Sequence, residues 1–96
     1  MKRRGRPKKQ RIVLGEPRIS QFSPRGKPGR PDEAELSKDE FEAIRLADYL
    51  GFTQKQAAKS MGVSQQTFSR ILKNARKIIS DVIVNGKIIR IQTVEK

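Results

Sequence analysis

The apolar positions of this 96-residue chain fall into helical, turn-bounded and strand-like patterns. The longest runs through Phe68, Ile71, Leu72, Ala75, Ile78, Ile79, Val82 and Ile83, at steps of three and four. That spacing places all eight on one helix face and predicts a helix from residue 65 to about residue 84. Ser64 is placed to cap its start, and Asn85 with Gly86 to end it. Two shorter helices are predicted upstream. "SKDE" at 37–40 is a capping box, in which Ser37 takes an orphan amide and Glu40 reaches back, opening a helix to about residue 50. Phe41, Ile44, Ala47 and the Leu46/Leu50 pair form its inward stripe, while Arg45 and Asp48 are expected to face outward. Asp39, Glu40 and Glu42 sit favourably in the positive first turn. "TQKQ" at 53–56 is a second box, with Phe52 as staple, for a short helix ending near residue 60.

The remaining segments are not helical in pattern. "KIIRIQTVE" is β-branched and predicts one short strand from 87 to about 93. A lone strand needs a partner, which on this reading is the Ile12 or Ile19 segment or a second copy of the chain. "RIVLGEPRISQF" offers two brief apolar patches around Gly15 and Pro17. "SPRGKPGRPDEAE" holds three Pro and two Gly, and reads as a linker or extended arm without a regular element. Residues 1–10 contain almost nothing able to enter a core and are expected to be disordered when free. The domain reading is therefore an arm and linker over 1–36 and a mainly α, three-helix domain with a terminal strand over 37–96.

Composition sharpens the choice of partner. Net charge is +12, with 22 Lys and Arg against 10 Asp and Glu, a field that concentrates phosphate-bearing ligands. The charge is partitioned: a basic arm, an acidic stretch over 31–52, then Lys55, Lys59, Arg70, Lys73, Arg76 and Lys77 with no acid between 53 and 80. Cys and His are both absent, which excludes disulfides, thiolate or imidazole metal sites and His-based acid–base chemistry. No apolar run approaches a membrane span, so a cytoplasmic protein is expected, with no membrane partner and no cofactor.

"QKQAAKSMGVSQQTFSRI" reads as helix, tight glycine turn, helix. Ala57 and Ala58 allow close approach, Gly62 makes the turn, and Met61, Val63, Phe68 and Ile71 fill the angle. At about 100° per residue, the side away from Phe68 and Leu72 displays Gln66, Arg70, Lys73 and Lys77, flanked by Gln65, Thr67 and Ser69. Gln65, Gln66, Ser69 and Arg70 have base-reading chemistry: an Arg fork suits guanine N7 and O6, and a Gln amide suits adenine N6 and N7. Lys55, Thr67, Lys73 and Lys77, with Lys59, are assigned to phosphates. Arg76 is open between a phosphate and an ion pair with the acidic first helix.

The stretches "EPRI", "FSPRG", "LSKDEFEAIRLAD" and "GFTQKQAAKSMGVSQQTFSRIL" resemble a family of small uncharacterised prokaryotic proteins predicted to bind DNA. Its helix-turn-helix is similar to region 4 of sigma factors, which reads the promoter −35 element. The resemblance covers roughly residues 10–92 and implies that Gln65, Gln66, Ser69 and Arg70 meet bases. Members often carry a Cys pair near "QRIVL"; this chain has none, so no metal or redox role carries over.

Given a major-groove reader, "KRRGRPKK" at 2–9 looks like an AT-hook. Arg4 and Arg6 would extend along a narrow A·T minor groove, Gly5 would permit close approach, and Pro7 would direct the chain outward, with the flanking bases on phosphates. Non-specific phosphate binding by the same tail is the competing reading. The expectation is a sequence-specific double-stranded DNA-binding regulator, not an enzyme, paired as a homodimer on DNA because so small a core gains from a partner. Two rivals stand beside it: an RNA- or ribosome-associated protein, and an RNA polymerase-docking module using the acidic first helix. Asp39, Glu40 and Glu42 as a Mg²⁺ site is set aside, because acids at a helix start serve as caps and dipole partners.

Overall fold

The computed structural model describes residues 11–26, 29 and 31–93. The tail residues Arg4, Gly5, Arg6 and Pro7, and the expectations attached to them, lie outside the described residues. Three helices pack against a small three-stranded sheet. The strands are β1 (Gln21–Phe22), β2 (Glu33–Leu36) and β3 (Ile88–Ile91). Helix α1 runs Lys38–Ile44 and continues into a π-helical turn, Arg45–Tyr49; α2 is Gln54–Met61 and α3 is Gln65–Asn85.

Local chemistry fixes the helix starts. Ser37 accepts the Glu40 amide while the Glu40 carboxylate accepts the Ser37 amide, and Thr53 with Gln56 repeats the arrangement for α2. Ser64 accepts the Thr67 amide at the head of α3. Gly62 turns between α2 and α3 at φ +69°, a left-handed conformation in which any side chain would be strained. The π turn is closed by the Leu50 amide donating to the Arg45 carbonyl at 2.9 Å.

β3 is the middle strand, antiparallel to β1 and parallel to β2. This corrects the linker reading of residues 23–35. The proline- and glycine-rich stretch ends in "EAEL", whose alternation buries Leu36 and half-buries Ala34 while Glu33 and Glu35 point out. The anticipated Ile12 pairing is also replaced: Ile12 donates its amide to the Met61 carbonyl and joins no strand. Of the other proposed partners, the segment just past Ile19 does supply β1.

Two apolar clusters make the core. Ala43, Leu46, Ala57, Ala58, Met61, Phe68 and Leu72 fill the space between the helices. Leu36, Ala75 and Ile91 join α3 to the sheet, and Ile44 touches both clusters. The predicted α3 face holds except at Ile83, which is 74% exposed. On α1 the inward stripe is centred on Ala43 and Leu46, and Leu50 is exposed. Glu42 is buried completely and Arg45 turns inward to meet it, so neither follows its expected outward or first-turn role. Asp48 does face solvent.

Candidate nucleic-acid interface

Because Phe68, Leu72 and Ala75 are locked inward, the opposite side of α3 is held to solvent. Gln65, Gln66, Ser69 and Arg70 are exposed on the first two turns, and Lys73 and Lys77 continue the same side. Lys55 and Lys59 are exposed on α2. Thr67 is half-buried at the cap, where its hydroxyl oxygen accepts from the Ser64 hydroxyl at 3.0 Å. Lys55, Lys59, Arg70 and Lys73 make no salt bridge among the described residues. Lys77 lies one turn before Asp81 and helps hold its carboxyl low, after the hydrogen bonds from Lys87 and Asn85.

Arg76 is engaged differently. Its guanidinium holds Asp48 bidentately, at 2.7 and 3.1 Å, and thereby lowers the Asp48 carboxyl below its ordinary range. Of its two anticipated partners, the structure pairs it with the acidic helix.

Beside this face lies an open cleft lined by Arg11, Asp39 and Glu40 on one side and Arg70, Lys73 and Lys77 on the other. The acids in it are already occupied. Asp39 pairs with Arg11 at 2.7 Å and accepts the Ser37 hydroxyl at 2.7 Å, while Glu40 accepts from Ser37 and Asn74. Burial works to raise the Asp39 carboxyl, but the hydrogen bonds from Ser37, its own amide and Arg11 outweigh it and leave it lowered. The cations opposite therefore face one carboxylate paired with Arg11 and a second, Glu40, held by neutral donors.

The buried group is Glu42. Each of its oxygens accepts one guanidinium N–H and one backbone amide: Oε1 from Arg45 at 2.8 Å and Gly15 at 3.2 Å, Oε2 from Arg45 at 2.9 Å and Leu14 at 3.1 Å. Burial pushes the carboxyl up, yet these four donors more than compensate and hold it low. Gly15 is required by close approach, because a Cβ there would collide with the Arg45 side chain. Sequence reasoning missed Arg11, Glu42 and Arg45 in these roles. The one local signal was the i,i+3 spacing of Glu42 and Arg45 around buried Ala43. Among the described residues no group of His, Cys, Asp or Glu side chains converges as a metal site, and no helix is long and apolar enough to cross a membrane.

Residues 1–95 match the family described as "Protein of unknown function DUF134". A UPF0251 protein of Methanococcus maripaludis strain C5 is 47% identical over 90 residues, covering 93% of this chain and 69% of that protein. A UPF0251 protein of Syntrophobacter fumaroxidans is 51% identical over 82 residues, covering 84% of this chain and 53% of its own. One from Prosthecochloris aestuarii is 46% identical over 91 residues, covering 94% and 59%. The chain thus spans from about half to about seven-tenths of these relatives. No solved structure matches it.

Proposed function

Within the DUF134 family, to which this chain belongs, we propose that it is a sequence-specific double-stranded DNA-binding protein that regulates transcription without catalysing a reaction. On this reading α2, the Gly62 turn and α3 act as a helix-turn-helix similar to sigma region 4, with α3 in the major groove. Gln65, Gln66, Ser69 and Arg70 read base edges, Lys55, Thr67, Lys73 and Lys77 hold phosphates, and the basic tail lies in the flanking minor groove or on phosphates.

The observation that carries the proposal is the exposed side of α3. Gln66, Arg70, Lys73 and Lys77 stand on one side of a helix whose other side is fixed by the core, and Arg70 and Lys73 keep their charges unpaired among the described residues. A merely solvated helix face has no need to exclude acids from the whole of residues 53–80. The occupied state of Asp39, Glu40 and Asp48 argues against the acidic helix as a docking surface for polymerase.

The test is selection of duplexes from a random pool by the full chain, followed by affinity measurements across a salt series. A single enriched motif is expected, with log K falling by about 0.9 per decade of salt for each phosphate neutralised. Arg70→Ala should relax the preference at one base pair by about 1–3 kcal/mol. Absence of any enriched duplex, together with full competition by single-stranded RNA, would refute the proposal in favour of an RNA partner.

A further inference from the structure

We infer that Arg11 holds a strand phosphate of the bound duplex in the cleft between the start of α1 and the exposed side of α3. The inference rests on the DNA-binding reading above and adds to it a contact from outside the helix-turn-helix.

Arg11 is placed from two directions. The amide of its neighbour Ile12 donates to the Met61 carbonyl at 3.0 Å, and the Ile12 side chain lies against the Gly62 turn that leads into α3. The Arg11 side chain is held by Asp39 at 2.7 Å. A guanidinium fixed in this way gives up little freedom on meeting an anion. Its donors are not used up. Arg45 gives two hydrogen bonds to Glu42 and Arg76 two to Asp48, whereas Arg11 gives Asp39 one, through Nη1, and keeps 39% of its side chain exposed. Among the described residues Asp39 is its one acceptor, and a guanidinium carries five N–H donors.

The surroundings favour an anion. Arg70, Lys73 and Lys77 stand across the cleft, with Asp39 and Glu40 beside Arg11, so four cations meet two carboxylates. Each carboxylate oxygen already accepts a protein donor: those of Asp39 from Arg11 and the Ser37 hydroxyl, those of Glu40 from the Ser37 amide and Asn74. The acids are satisfied within the protein, while Arg70 and Lys73 make no salt bridge among the described residues. A phosphodiester brings one negative charge and two free oxygens to that surplus of donors. The plainer role for Arg11 is to offset Asp39. That acid has less need of it, because an acid in the first turn of a helix is favoured without a cation.

The two roles separate in the double variant Arg11→Ala with Asp39→Asn, which removes the ion pair without altering net charge. Affinity for the duplex selected by the native full chain is measured across a salt series. If Arg11 holds a phosphate, the slope of log K against log salt becomes shallower by about 0.9, which makes binding about eightfold weaker at 0.1 M salt. Ethylation of single phosphates locates the contact: one position should weaken the native chain and leave the double variant unaffected. The pair is exposed and contributes little to stability, and circular dichroism checks the fold. Arg11→Gln with Asp39→Asn keeps a hydrogen bond between the two side chains and gives the same readout where the alanine version does not fold. A native salt slope and a native ethylation pattern in the folded double variant would show that Arg11 only offsets Asp39, overturning the inference while leaving DNA binding intact. Failure of the native chain to enrich any duplex would instead overturn the functional reading beneath it.

Discussion

Replacing Glu42 by alanine removes the acceptor of four hydrogen bonds at a site with no solvent exposure. Breaking a buried ion pair by deleting one partner costs about 3–5 kcal/mol, and each stranded buried amide about 1–3 more. Two features reduce that sum. Arg45 keeps 26% of its side chain exposed, so its guanidinium can rehydrate, and the amides of Leu14 and Gly15 are only partly buried. A net loss near the lower end, about 3 kcal/mol, is therefore expected. A domain of this size holds roughly 5–14 kcal/mol, and each kcal/mol moves Tm by about 4–8 °C, so Tm should fall by at least about 12 °C. Urea unfolding followed by far-ultraviolet circular dichroism measures the change. The double variant Glu42→Leu with Arg45→Leu should recover much of the loss, because an apolar pair leaves no stranded charge. A Glu42→Ala cost below about 1 kcal/mol, or a double variant as unstable as the single one, would refute this account of the buried pair.

Three further outcomes are expected. Phe68→Ala empties the centre of the helical cluster and should cost about 3–5 kcal/mol by the same denaturation assay; a cost under 1 kcal/mol would show that α3 is not anchored there. Lys73→Ala should make the salt slope of DNA binding shallower by about 0.9, whereas Arg76→Ala, whose charge is spent on exposed Asp48, should leave the slope unchanged and cost under about 1 kcal/mol of stability. Acid should destabilise the protein. Asp39, Glu42 and Asp48 have folded-state pKa values lowered from their ordinary ones, so their stabilisation is complete above the unfolded values near 4 and is lost as pH falls through the folded ones. Stability that is flat or rising between about pH 5 and pH 3 in the denaturation assay would contradict those lowered values.

What could be read from the residues alone was whatever depends on near neighbours. Ser37 with Glu40, Thr53 with Gln56, Ser64, Gly62 and Gly86 each act within a few positions, so the helix starts, the turn between α2 and α3 and the end of α3 were all legible. What escaped depended on distant partners. "EAEL" is too short and too acidic to announce a strand; only Ile88–Ile91, far along the chain, makes it one. Glu42 resembled two neighbouring first-turn acids, and its burial follows from Leu14 and Gly15 folding over it. Ile83 fits the helical period but is exposed while Val82 beside it is half-buried, so periodicity alone overextended the buried face. At the candidate interface the exposure of Gln65, Gln66, Ser69 and Arg70 followed from that same period, while the engagement of Arg76 by Asp48 required knowing where α1 crosses.

The central place of Ile88–Ile91 in the sheet bears on how the protein is made. Both of its partners precede it by most of the chain, with Arg90 meeting Glu33 57 positions away. On a ribosome, the helical cluster has all its members before this strand emerges, whereas the ladder groups that Gln21–Phe22 and Glu33–Leu36 offer to Ile88–Ile91 must wait until it does. The helices are thus free to assemble during translation before the sheet closes, and Ile88–Ile91 then ties together two strands made well ahead of it.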